Sequence, residues 1–388
     1  ESDSTVCSRG MFALVLPFIK IQLPTKFWFC FCAYWGRVPA VQTTFGDEGS
    51  IMADCEYGRV LVGDEALLLP NYERFQLQPV DQEMLEPPVG GLEPQQTTLG
   101  HAVSVTGPGT FFGNAQRTLE FEPTTRSGWY FDRKDLPESL PIAVGVQNVW
   151  TVVRNIVLCS GSPHNYMRMV EHIVALKYLG LDNVLIRMDS GDPPLFDRSS
   201  MDLVEAIDKG GIVTQSQRAT YVTVKEPVTV VDGNGGFLTF EPAAPGEHRL
   251  KVDCAVDFST AIGQQRIRFD VNPKTVRHGA FARTNTNLWM MLYCKTVGKV
   301  FADTRNLGYT LKNILVAGPR RYANKPNLIH KGKSLEAVWH RSVLDLLAAI
   351  ALIDRGRLVG SIKSYKAGHA LDVEMVRALY RDDLLEEV

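Results

Sequence analysis

Eight histidines occur among the 388 residues, and three of them stand beside ionisable partners in patterns able to do chemistry. Glu171-His172 joins a carboxylate to an imidazole. His340 is followed by Arg341 and, five residues on, by Asp345, while Lys366-Ala367-Gly368-His369 ends in an imidazole after a glycine. Hydrolysis of an unactivated bond such as an amide needs a nucleophilic water, a group to accept its proton, a donor for the leaving amine and positive character at the developing oxyanion. A zinc ion with one open position supplies the first, and its common protein set is three His or carboxylate ligands.

On a helix, neighbours point about 100° apart, so one of Glu171 and His172 can ligate metal while the other reaches a metal-bound water. Taken alone, such a pair fits an ordinary solvated helix face. Ligands sharing one helix normally stand three or four residues apart. An offset of five turns His340 and Asp345 roughly 140° apart on a regular helix, so joint ligation predicts a π-bulge between them. The alternative is an exposed His and a solvated or paired Asp. His369 would sit on a glycine turn at a strand end, where catalytic groups often lie, or would be a surface histidine.

The elements that must carry these groups follow from periodicity. Helical spacing over 166–178, with Met169, Val170, Ile173, Val174 and Leu176 apolar and Gly180 as the stop, would carry Glu171 and His172. An apolar-rich helix over 335–352 would carry His340 and Asp345. A strand over 358–365 would deliver Lys366 and His369, ahead of a terminal helix over 373–385. Upstream, strand-like runs occupy 101–106, 118–121, 142–146, 156–158 and 183–188, with a helix at 201–207. A second series follows over 220–231, 237–240, 250–258 and 266–271, and the glycines of 107–113 read as a hairpin turn, since no helix opens after them as a dinucleotide loop requires.

Strands, helix and strand thus occur twice, which predicts an α+β protein with two similarly built domains, 96–225 and 226–388. Residues 1–95 show no sustained period, hold four of the seven cysteines and end in the Pro/Gly-rich run 86–91. They read as an extension of unassigned role; Met52 or Met84 could each begin a shorter chain.

The 41 basic and 43 acidic residues nearly cancel, which excludes the broad basic field of a nucleic-acid binder but leaves room for a local groove for a small anion. Seven scattered cysteines form no CxxC array and suit a reducing cytoplasm. The apolar segment 12–35 is broken by Pro17, Lys20, Pro24 and Lys26, so neither a stable membrane span nor a secretory signal is expected.

Three runs in order carry a family resemblance: Met169-Val170-Glu171-His172-Ile173-Val174-Ala175-Leu176, Gly180-Leu181-Asp182-Asn183, and Asp192-Pro193-Pro194-Leu195-Phe196-Asp197. Together they resemble the first-domain signature of UDP-3-O-acyl-N-acetylglucosamine deacetylases. Asp257-Phe258, Ala261-Ile262-Gly263-Gln264-Gln265, Ala282-Arg283-Thr284 and Gly368-His369-Ala370-Leu371 continue the resemblance through the second domain. It implies two two-layer α/β sandwich domains whose helices pack face to face between the sheets, with zinc held where they meet. It also implies hydrolysis of the acetamide of a UDP-linked, 3-O-acylated N-acetylglucosamine, the committing deacetylation of lipid A synthesis, by a cytoplasmic enzyme expected to be a monomer. By the same matching, Glu171 is the general base, His172, His340 and Asp345 the zinc ligands, Thr284 the oxyanion donor and His369 the acid at the leaving amine, with Lys366 and Arg341 facing the diphosphate.

The chain also departs from the family pattern. Where the family has a His four residues before the ligand-helix Asp, this chain has Arg341, with His340 one place earlier. The family's His in the early glycine turn is replaced within Thr110-Phe111-Phe112, a further Asp is Ala349, and the glycine after the Asp matched by Asp197 is Arg198. The family's Gly-Ser-Leu-Asp-Asn stretch has become Ala317-Gly318-Pro319-Arg320-Arg321-Tyr322. A divergent member is expected. Two alternatives stay open: a weakened relative that binds a nucleotide sugar without turnover, and a deacylase of a different UDP-linked amido sugar.

Overall fold

Along Val184–Met188 the buried Val184, Ile186 and Met188 alternate with half-buried Leu185 and Arg187, the period of a strand with one face in the core. The computed structural model describes residues 56–86, 94–111, 115–153, 155–296 and 308–388. The apolar segment 12–35, Met52 and most of the Pro/Gly run at 86–91 lie outside the described residues. Val184–Met188 is central to a five-stranded sheet ordered Val103–Pro108, Gln116–Glu122, Val184–Met188, Trp129–Arg133, Ile142–Ala143. The first two of these form the hairpin expected around the glycines of 107–113. Ile212–Arg218 pairs with Gln95–Leu99, whereas Tyr221–Val224 pairs with Arg357–Leu358 and Leu385–Glu387. The chain therefore passes from the strands of its first half to those of its second between residues 218 and 221.

The second half is built on a seven-stranded sheet ordered Arg59–Val62, Val228–Val231, Phe237–Glu241, Gly360–Tyr365, Leu250–Asp257, Gln264–Asp270, Gln82–Met84. Both outer strands come from residues 56–86, a stretch expected to hold no regular element. Between them runs helix α1, Glu65–Leu77, started by the Asp64 carboxylate accepting from the Ala66 N–H. Leu68, Tyr72 and Phe75 of α1 pack on Val231, Phe237, Ala255 and Tyr365 of the sheet, and Arg266 donates to the Phe75 and Gln78 carbonyls at its end. The helix was not legible because Leu67, Leu69 and Leu77 point to solvent, so its apolar residues trace no stripe, and Pro70 lies inside it.

The remaining helices are α2 (Glu171–Val174, continued by a 3₁₀ turn over Ala175–Leu179), α3 (Met201–Gly210), α4 (Pro273–Gly279) and α5 (Leu288–Lys295). After them come α6, made of Glu336–Trp339, a π segment His340–Leu346 and Leu347–Ile350, and α7 (His369–Arg381). α2 and its 3₁₀ continuation pack on α4 and α6, and α7 packs on α6 and on the seven-stranded sheet. Helices from both halves thus meet in one continuous apolar core. Among the described residues no helix is long and apolar enough to cross a membrane.

Of the elements whose bounds differ from expectation, three bear on the site residues. The helix read over 166–178 begins only at Glu171; Tyr166–Met167 is a strand paired with Val157–Cys159, and Met169 turns the chain at φ +47°. Its buried Met167, Met169 and Val170 imitate helical spacing without forming it. The strand read over 358–365 is two strands, Arg357–Leu358 and Gly360–Tyr365, in different sheets. The terminal helix starts at His369 and ends at Arg381, and Leu385–Glu387 is a strand.

Candidate active site

The offset of five between His340 and Asp345 is met by π geometry over His340–Leu346, the irregularity that their shared side of the helix demands. Inside the widened turn the buried Ser342 hydroxyl donates to the Val338 carbonyl at 2.8 Å. Gly279 of α4 abuts the same turn: a Cβ there would lie 2.4 Å from Val343 Cγ2, so only glycine lets the two helices approach this closely. The result sets His340 Nδ1 3.4 Å from Asp345 Oδ1.

The same extra residue turns Arg341 inward. Its guanidinium pairs with the Asp372 carboxylate and approaches Ser364 Oγ at 3.5 Å, with the Arg341 and Asp372 side chains only 8% and 0% exposed. Arg341, expected to face a diphosphate, is therefore a buried structural cation. Lys366 is exposed at the end of Gly360–Tyr365, in a left-handed conformation at φ +52°.

α2 presents Glu171 and His172 to the same place. Glu171 is buried, its Oε2 accepting from the Ile156 N–H at 3.0 Å. Burial pushes its carboxyl up to about 7, opposed by the charge of His369. His172 Nε2 lies 3.4 Å from His340 Nε2. Burial, and then the neighbouring His340, drive His172 down to about 3, so its imidazole is neutral with a lone pair free for a ligand.

His369 is the first residue of α7, with Gly368 as its N-cap, not a residue of a free turn as its sequence context predicts. Its Nε2 lies 3.6 Å from Asp345 Oδ1. Burial lowers its pKa, but the charges of Asp345 and Glu171 outweigh that and raise it above the usual imidazole value. Asp345 moves the other way: burial opposes ionisation, yet His340 and His369 hold it well below the usual carboxylate range. Thr284, whose carbonyl accepts from the Leu315 N–H at 2.8 Å, completes the group. Glu171, His172, Thr284, His340, Asp345 and His369 all line one cleft of about 190 Å³, although they span nearly 200 positions of sequence. Lys366 and Arg341 are not among its lining residues.

Of the rest of the lining, the sequence drew attention only to Met169, in the Glu171-His172 run, and to Phe111, where the family's His is replaced. Asn155 and Asn285 add amides, and Phe111, Met169, Met290, Tyr309 and Ile314 make an apolar wall. Asn285 follows Thr284 directly and Asn155 precedes the residue that holds Glu171, so adjacency was the available signal; the rest of the apolar wall carried none.

Among the described residues no three His, Cys, Asp or Glu side chains converge as a ready metal site. The cause is that His172 meets His340 at Nε2, whereas Asp345 lies against its Nδ1. The two imidazoles nevertheless stand at the spacing of paired ligands of a divalent cation. A tetrahedral ion with bonds of about 2.0–2.1 Å sets two ligands about 3.3–3.4 Å apart, and the two Nε2 atoms stand 3.4 Å apart. Asp345 Oδ1, which faces His340 Nδ1 at 3.4 Å and His369 Nε2 at 3.6 Å, would have to turn to join them.

An α+β scaffold that gathers two carboxylates, three imidazoles and a hydroxyl in one cleft holds the groups that hydrolysis uses, and comparison with known proteins places the chain among deacetylases. Residues 96–381 match the model of the UDP-3-O-acyl N-acetylglycosamine deacetylase family, and the chain belongs to that family. The UDP-3-O-acyl-N-acetylglucosamine deacetylases of Brucella ovis and Brucella abortus are each 29% identical to it over 301 residues, covering 76% of this chain and 98% of theirs. The enzyme of the same name from Brucella melitensis is similar to the same extent.

Proposed function

We propose that the chain hydrolyses the acetamide of a UDP-3-O-acyl-N-acetylglucosamine to the free amine and acetate, the committing deacetylation of lipid A synthesis, as a zinc-dependent enzyme. The observation that carries this reading is the convergence of Glu171, His172, Thr284, His340, Asp345 and His369 on one cleft. Zinc, when held by His172, His340 and Asp345, supplies Lewis acidity toward water and the amide carbonyl.

The chain's own residues do the rest. Glu171, buried and with its carboxyl near neutrality, accepts the proton of the attacking water and can hold it through the addition step. The Thr284 hydroxyl donates toward the oxygen on which charge develops. His369, where burial is outweighed by the charges of Asp345 and Glu171 so that its pKa is raised, gives its proton to the departing amine. A carboxyl and an imidazole whose environments each shift their ionisation are the kind of pair on which acid and base roles are divided. Lys366, exposed where its strand leads into His369, is left to meet the diphosphate.

A second reading, binding without turnover, draws support from Asp345 lying on the Nδ1 side of His340. Incubating the purified chain with UDP-3-O-acyl-N-acetylglucosamine, while measuring acetate release and zinc per chain, separates the two. Turnover with one zinc supports the enzyme; tight binding of the sugar nucleotide with neither zinc nor acetate release supports the binder.

A further inference from the structure

Glu336 begins α6 one turn before His340 and is fully buried, and it meets Arg283, the residue before Thr284, which is 4% exposed. Its Oε1 accepts from the Arg283 backbone N–H at 3.0 Å and from Nε at 2.7 Å. Its Oε2 accepts from Arg283 Nη2 at 3.1 Å and from the Asn327 N–H at 2.6 Å. Arg283 in turn donates to the Lys312 and Lys325 carbonyls at 3.1 and 2.7 Å. Between those two carbonyls lie Ile314, a wall of the cleft, and Leu315–Ala317, which pairs with Asn285–Asn287 directly after Thr284.

A buried ion pair adds little stability over an apolar pair of the same shape, because desolvation offsets the attraction. What an apolar pair cannot do is bond main-chain groups, and this one bonds four: the N–H groups of 283 and 327 and the carbonyls of 312 and 325. These groups lie on the three segments that place Thr284, Ile314 and the start of the helix bearing His340 and Asp345. We infer that Glu336, acting through Arg283, is a positioning residue for the reaction, fixing the Thr284 hydroxyl relative to the donors on α6. This rests on the function proposed above.

The test is a kinetic cycle. Glu336→Gln keeps the shape but loses the charge and one acceptor. It should lower kcat about 10- to 100-fold, the range a misplacement of about 1 Å produces, with KM within threefold and zinc content unchanged. Thr284→Val should lower kcat about 10²- to 10³-fold, as loss of one oxyanion donor does. Because Glu336 acts through Thr284, the double variant should be no slower than Thr284→Val alone. Multiplying losses would overturn the inference, as would a Glu336→Gln enzyme with wild-type kcat. If Glu336→Gln does not fold, Arg283→Lys serves the same cycle, since lysine keeps the charge but not the fork. Amide exchange gives a second decision that needs no turnover: residues 284–287 should exchange faster in the Glu336→Gln chain while 171–179 do not. Unchanged exchange at 284–287 rejects the inference. An inactive wild type with faster exchange there rejects the substrate and leaves the positioning role supported.

Discussion

Replacing Arg341 by leucine should destabilise the protein by about 3–5 kcal/mol at neutral pH, the usual result of stripping the partner from a buried charge. Asp372 is 1% exposed, and burial already raises its pKa against the pull of Arg341. Without that guanidinium the carboxylate must stay charged in the core or take up a proton. The loss is a large part of a typical stability of about 5–15 kcal/mol. Its pH dependence has a definite sign. A carboxyl whose folded pKa lies above its unfolded value of about 3.9 makes the folded state bind the extra proton, so stability falls as pH rises from there toward the folded pKa. The deficit of Arg341→Leu relative to wild type should therefore be small near pH 4 and grow toward pH 8. Urea unfolding at several pH values measures it. The double variant Arg341→Leu with Asp372→Leu removes both charges and should recover most of the loss. A single variant within about 1 kcal/mol of wild type at pH 7, or a deficit that shrinks with pH, would refute the account of Arg341 as a structural cation.

Glu171→Gln should retain zinc and fold while turnover falls about 10²- to 10⁴-fold; the rise of kcat/KM with pH through the acid limb, which a base near 7 produces, should vanish with it. His172→Ala should lose zinc together with activity, and zinc per chain by metal analysis is the check. Gly279→Ala should cost about 1–3 kcal/mol by overpacking, since the added methyl meets Val343 at 2.4 Å; thermal unfolding reads it. A chain starting at Met84 discards the buried Leu68, Tyr72 and Phe75, each worth about 1.5–3 kcal/mol on full burial, and should be insoluble where the longer chain is not; a soluble and active Met84 chain would show that α1 is dispensable.

Much of the candidate site was legible because its signals are local. Once the family resemblance singles them out, the Glu171-His172 pair needs only two adjacent letters, and the five-residue offset between His340 and Asp345, if both face one site, calls for a distorted helix, which the π segment supplies. The role of Arg341 was not legible for the same reason read backwards. An inserted residue swings its neighbours as well as its ligands, and where Arg341 then points depends on Asp372, which sits on a helix that begins four residues before its apolar period suggests. His369 shows the same limit. Periodicity found the body of α7 but not its first turn, where Gly368 caps and no apolar repeat has started. For 56–86 the difficulty was different: α1 and its two flanking strands are fixed by what they cover, and strands of four and three residues carry no period of their own.

Those two short strands have a consequence for the edges of the seven-stranded sheet. Arg59–Val62 lies beside Val228–Val231, whose four residues are all buried, and Gln82–Met84 lies beside Gln264–Asp270. Each stands as a brief, partly polar border on a strand that would otherwise present a row of open amides and carbonyls, the template on which chains pair edge to edge. Val228-Thr229-Val230-Val231 is β-branched throughout, the composition that favours such pairing most. A protease cut after residue 86 would thus do more than subtract contacts: it would uncover a growing end, and the failure of the clipped protein would be ordered polymerisation, with its rate set by concentration, rather than simple unfolding.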